Sequence, residues 1–173
     1  MTNVPFIKGI GDVEAVDILH QVSAFYMSTR VPQDYGTGEL YTSTEVHLLK
    51  YIAEHDNVTV TSLSYTYGRT KGAISQLLSK LTGKGLIERL PSSSAPGNGN
   101  SQPLQITDKG MRLNEAHKAY DAVHFAESMS RVREAFSQED IDTTFAVLTY
   151  WLSVRRDVQR QRVARRSSSS SSS

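Results

Sequence analysis

The chain has 173 residues, 38% of them hydrophobic, a formal net charge of +1 and no cysteine. That length fits one domain able to bury a real core, and the missing cysteine excludes disulfides, thiolate metal sites and thiol-oxidation sensing. No apolar run reaches membrane-spanning length and no signal-peptide pattern opens the chain, so a cytoplasmic protein with no membrane partner is expected.

In chain order, residues 1–11 read as an irregular arm. Its Gly9-Ile10-Gly11 is no dinucleotide fingerprint, because the third glycine would fall at Glu14. Asp12 is placed to cap a helix to about residue 29, with Ala15, Ile18, Leu19, Val22, Phe25 and Tyr26 on one face. Residues 31–41 contain Pro32, Gly36 and Gly38 and read as a loop. Thr42-x-x-Glu45 is a capping box. Its helix runs to about residue 55, with Val46, Leu49, Ile52 and Ala53 inward and His47 and Tyr51 on another face. Residues 57–60 make a short connection with some strand character.

The chain is organised around residues 59–89, T-V-T-S-L-S-Y-T-Y-G-R-T-K-G-A-I-S-Q-L-L-S-K-L-T-G-K-G-L-I-E-R. A short helix fits residues 61–67 and ends at Gly68, since glycine tolerates the left-handed conformation there. A second helix starts at Thr70, whose hydroxyl can cap it. Its Ile74, Leu77, Leu78 and Leu81 form one buried stripe, opposite Lys71, Gly72, Ala73, Ser75, Gln76, Ser79 and Lys80. Two short helices, a tight turn and a small, polar, basic outer face predict a helix-turn-helix. An ordinary amphipathic helix with a solvated face is the plain alternative. Gln76 can pair bidentately with adenine, and the lysines can reach guanine or phosphate.

Gly85 ends the second helix, residues 86–90 alternate like a strand, and residues 91–103 form a Ser/Gly/Asn/Pro-rich hairpin. Leu104-Gln105-Ile106 reads as the return strand, and Thr107 can cap a helix from Asp108 to about residue 136. Leu113, Ala116, Tyr120 and Val123 make its stripe. Ser137-x-x-Asp140 resembles the capping box of a last helix, with Ile141, Phe145, Leu148 and Leu152 in register and Trp151 as a packing anchor. That helix runs into V-R-R-D-V-Q-R-Q-R-V-A-R-R, read as a solvated end, and then a seven-serine run that composition assigns to a disordered tail.

Positive charge is concentrated. Residues 69–89 and 155–166 together hold eleven of the nineteen basic residues and two of the eighteen acids. A local basic surface is what phosphate neutralisation requires.

Enzyme chemistry is not expected. The sequence has no H-E-x-x-H, G-x-S-x-G or P-loop, so no catalytic residue and no cofactor are assigned. His117 and His124 lie seven apart, roughly 10 Å along a helix, too far to share one ion unaided. The sequence therefore assigns no metal ligands.

A helix-turn-helix followed at once by a β-hairpin is a winged helix. The run resembles the MarR family of bacterial transcriptional regulators, through V-T-V-T-S-L, T-K-G-A-I-S-Q-L-L-S-K-L, G-L-I-E-R and L-Q-I-T-D-K-G, over residues 41–110. The resemblance implies a mainly α protein with a small β-wing. Residues 1–40 and 111–166 would be dimerisation segments, residues 41–110 the DNA-binding domain and residues 167–173 the tail. It also implies a homodimeric repressor on a pseudo-palindromic double-stranded operator, contacting DNA through Thr70, Lys71, Gly72, Ala73, Ser75, Gln76, Lys80, Asn98 and Asn100.

The family's wing usually carries an Asp and an Arg two residues apart; Asn98 and Asn100 stand there, and residues 91–103 carry no charge. An uncharged wing also suits a protein-interaction module. Finally, the resemblance implies release from DNA by a small aromatic anion. Its pocket would lie where the first two helices meet the long helix, with Tyr26, Tyr41, His47 and Tyr51 as candidate lining residues.

Overall fold

The computed structural model describes residues 9–28, 31–90 and 102–170. Its elements run α1 (Asp12–Ser28), β1 (Gln33–Asp34), β2 (Leu40–Tyr41), α2 (Ser43–Glu54), α3 (Val60–Tyr67), α4 (Lys71–Gly83), β3 (Ile87–Arg89), β4 (Leu104–Ile106), α5 (Asp108–Ala135) and α6 (Gln138–Ser170). The fold is mainly helical with a small β-wing.

Threonines set four of the helix starts. Thr42 and Glu45 form the reciprocal box of α2, and Thr59 with Ser62 does the same for α3. Thr70 accepts from the Ala73 N–H and Thr107 from the Gly110 N–H. Each satisfies a backbone donor that the helix cannot satisfy itself. Gly68 closes α3 at φ +60°, where a Cβ is disfavoured.

Residues 31–41, expected to be a loop, contain a two-strand ribbon pairing Gln33 with Tyr41 and Asp34 with Leu40. The Asp34 carboxylate accepts from the backbone N–H groups of Gly36, Thr37 and Gly38, which folds the tip and pulls its pKa below the usual value. No strand forms at residues 57–60; the Val58 carbonyl instead accepts from the Leu104 N–H.

One core lies under α2, α3, α4 and the base of the wing. Val46, Leu49, Leu63, Ile74, Leu78, Leu81 and Leu86 are fully buried there, with Tyr41, Leu48, Ile52, Ile87 and Leu113 nearly so. β3 and β4 pair antiparallel, Ile87 with Ile106 through Arg89 with Leu104, and the Thr107 hydroxyl donates to the Gly85 carbonyl at the wing's base. The hairpin tip at residues 91–101, with Asn98 and Asn100, lies outside the described residues.

The outer helices differ. Ile18, Val22, Phe25, Val123, Phe145, Leu148, Trp151 and Leu152 are all at least 37% exposed in the single chain. The expected stripes are therefore not intrachain core at these positions, and Trp151 anchors no core. Val123 points to solvent because α5 has by then run past the core that Leu113 enters. α6 continues to Ser170, four residues into the serine run assigned to a disordered tail. Elongating a formed helix adds one hydrogen bond per residue fixed, so a middling helix former such as serine can be carried along.

Candidate nucleic-acid interface and the cleft behind it

α4 is held from below. Ile74, Leu78 and Leu81 are completely buried, which fixes the rotation of the helix about its axis. The opposite face is consequently outward: Thr70, Lys71, Gly72, Gln76, Ser79 and Lys80 are exposed and Ala73 and Ser75 half-buried. The Thr70 hydroxyl is engaged in the cap, and Ser79 donates to the Ser75 carbonyl at 2.9 Å. Arg69, Lys71 and Lys80 form no ion pair among the described residues. Cations without internal partners, at the positive end of a helix dipole, suit a polyanion.

Lys84 belongs elsewhere, although its sequence position put it in the basic cluster. Its ammonium lies 2.9 Å from Glu45 Oε1 and 4.6 Å from the centre of the Tyr41 ring. Glu45 is buried. Burial alone raises its pKa, but Lys84 and the Thr42 backbone and hydroxyl donors outweigh this and hold it below the usual 4.5. This pair ties the end of α4 to the start of α2.

The basic end of α6 is also engaged rather than simply solvated. Arg156 Nε donates to the Thr66 carbonyl at 3.2 Å, the Tyr65 hydroxyl donates to Asp157 at 3.1 Å, and the Arg160 guanidinium lies 4.4 Å from the centre of the Tyr65 ring. The last turn of α3 thus carries α6. Arginine is placed well at the negative end of a helix. Burial, helped by Tyr51 and opposed by Arg156, pushes the neighbouring Tyr67 hydroxyl up to about 12.

Behind the reading unit, a cleft of about 950 Å³ opens between α1, α2, α5 and α6. Of the four predicted lining residues, Tyr26 and His47 border it. Tyr41 is only 1% exposed and sits in the core, its hydroxyl donating to Glu39 at 2.7 Å. Tyr51 stacks on His55 with 3.9 Å between ring centres and shares a hydrogen bond with Thr66. The single turn separating His47 from Tyr51 was enough to aim the tyrosine at α3.

The cleft also contains residues the sequence did not single out. Lys50, Lys118, Asp121 and Phe125 line it. His117 is buried at its edge, 3.1 Å through Nε2 from Asp121 Oδ2. Burial lowers the His117 pKa, aided by His47 and Lys50 and opposed by the Asp121 carboxylate. The i,i+4 spacing of His117 and Asp121 was legible in the sequence; the approach of His47 from another helix was not.

Residues 41–94 match the MarR family model. An uncharacterised HTH-type transcriptional regulator of Bacillus subtilis, YhjH, is 29% identical over 87 residues, and the chain spans about half the length of this curated relative (48%) with 50% of its own. Among solved structures, a MarR protein from Peptoclostridium difficile superposes with a TM-score of 0.65 at 14% identity, over 93% of this chain and 99% of that one. S. aureus MepR in its DNA complex superposes with a TM-score of 0.59 at 23% identity, over 80% of this chain and 96% of the other. A family match centred on the capped, outward-facing α4, within a fold shared along most of the chain, places this protein in the MarR family.

Proposed function

We propose that the protein is a homodimeric DNA-binding transcriptional regulator, acting as a repressor. One observation carries this reading: α4 presents Lys71, Gln76 and Lys80 outward, without internal ion pairs, from a helix whose other face is locked in the core. Thr70, Gly72, Ala73 and Ser75 complete the surface that would enter the major groove, with small side chains allowing close approach. MepR, a structural neighbour, is known in complex with DNA. Asn98 and Asn100 in the wing would add minor-groove hydrogen bonds but no charge.

The cleft supports a further part of the reading, release by a small aromatic anion. Tyr26 and Phe125 offer ring surfaces, and Lys50 and Lys118 offer positive charge to a carboxylate. His47 borders the same space, whereas Tyr41 and Tyr51 would act only at a distance. Such a ligand must bind the non-DNA-binding spacing of the two α4 helices more tightly than the bound spacing. A coupling of about 1–3 kcal/mol would change DNA affinity roughly 5- to 150-fold.

Titrating the protein against duplex from beside its own gene, at several salt concentrations, tests the reading. Gln76→Ala should cost about 1–3 kcal/mol on the true site and relax preference at one base pair. Lys71→Ala should weaken all sequences alike and flatten the salt slope. Both variants binding like the parent would remove α4 from the groove. Adding salicylate and related acids to the preformed complex should lower its affinity; an unchanged affinity across a broad panel leaves a constitutive regulator.

A further inference from the structure

Three side chains away from α4 converge on one point. His47 from α2 and His117 and Asp121 from α5 each offer a ligating atom, and these atoms lie within 4.8 Å of one another. The His47 and His117 rings meet edge to face with centroids 4.8 Å apart. Nitrogen and oxygen ligands about 2.0–2.2 Å from a tetrahedral ion sit roughly 3.4 Å from each other. Small side-chain rotations would close the remaining distance.

A second observation is independent of this spacing. His117 is 1% exposed, yet its Nδ1 has no hydrogen-bond partner. Asn114 Oδ1, three residues earlier on α5, is the other buried side-chain atom without one among the described residues. Buried polar atoms are normally paired, and an orphaned one calls for a cause. A histidine that binds metal through one nitrogen usually donates a hydrogen bond from the other. The unpaired atoms are a donor-capable nitrogen and an acceptor on one helix, as such an arrangement needs.

We propose that His47, His117 and Asp121 form a binding site for a divalent first-row transition ion, with the fourth position open to the cleft. Two imidazoles and one carboxylate suit zinc, and three protein ligands leave room for water or another ligand, as in open zinc sites. The Asp121 carboxylate offsets the repulsion from Lys50, the nearby cation that acts on His117. The ligands come from two elements. α2 belongs to the reading unit, and α5 runs from the base of the wing out past the core. A bound ion would therefore clamp α2 to α5 and stiffen the link between the reading unit and the outer helices. This inference does not depend on DNA binding.

The test uses the full chain without a polyhistidine tag, stripped by chelator and titrated with zinc alone. Calorimetry and native mass spectrometry should give one ion per chain, and zinc should raise the thermal midpoint. His47→Gln and Asp121→Asn should each weaken zinc binding about tenfold or more, since even loss of an outer-shell partner costs about 10–100-fold. Both residues have exposed surface, so the metal-free variants should keep the parent's circular dichroism and thermal midpoint. His55→Gln, an exposed histidine stacked on Tyr51, should bind zinc like the parent. Micromolar zinc that fails to bind, or binds His47→Gln and Asp121→Asn as tightly as the parent, overturns the site.

Discussion

At the scale of single residues, Gly110 shows how closely the wing and α5 approach. A Cβ built there would lie 2.1 Å from the Leu86 carbonyl oxygen and 2.7 Å from Ile106 Cγ1. The clash is with strand backbone, which cannot rotate away. Gly110→Ala should therefore destabilise by about 1–3 kcal/mol or more, even though alanine is the better helix former. Urea unfolding that shows no loss would mean β3 and α5 can separate freely. Glu45 gives a pH-dependent counterpart. Its folded pKa is depressed, so its contribution exists above the usual value of 4.5 and disappears as pH falls through the depressed folded value. Glu45→Gln should thus be less stable than the parent by about 1–2 kcal/mol near pH 7, a figure discounted because Lys84 is about one-third exposed. The gap should close by about pH 3. A gap of the same size at both pH values would rule out the Glu45 charge as its source.

Among the elements, α6 makes the least expected contact. The arginine-rich stretch reads as a solvated helix end, but Arg156, Asp157 and Arg160 all engage Tyr65 or Thr66 on α3. The contact links the long outer helix to the first helix of the reading unit. Each hydrogen bond is partly solvated and worth about 0.5–1.5 kcal/mol. A paired Tyr65→Phe and Arg156→Ala variant should lose roughly 1–3 kcal/mol of local stability by that measure. Hydrogen exchange should be faster in residues 60–67 and 155–162 than in α2. Unaltered protection in both segments would mean the contact carries no energy.

For the whole molecule, the contrast between the buried reading unit and the bare outer helices decides the expected assembly. Val22, Phe25, Val123, Phe145, Leu148 and Leu152 expose more apolar surface than scattered surface residues require. A symmetric partner built from the same helices would cover it. Sedimentation should give about twice the chain mass of 19.2 kDa at micromolar concentration. Phe145→Glu with Leu148→Glu should shift the protein toward monomer and weaken binding to a two-half-site duplex far more than to a single half-site. A parent protein that sediments as a monomer would remove the dimer from the proposed function.

The sequence alone determined the features that depend on near neighbours. The Thr42, Thr70 and Thr107 caps, the Gly68 stop, the buried stripe of α4 and the β4 strand all follow from spacings within one or two turns. Local geometry turns such spacings directly into structure. That was enough to set α4's outward face, which is why Lys71 and Gln76 could be read before any fold was known. Only the tertiary structure decided which side chains meet across elements. It engaged Lys84 with Glu45, buried Tyr41, turned Tyr51 toward Thr66, docked the α6 arginines on α3 and brought His47 beside His117 and Asp121. These outcomes depend on how helices far apart in sequence are rotated and placed against a shared core. Periodicity shows which face of a helix is apolar, but it does not carry the identity of the helix that will cover it.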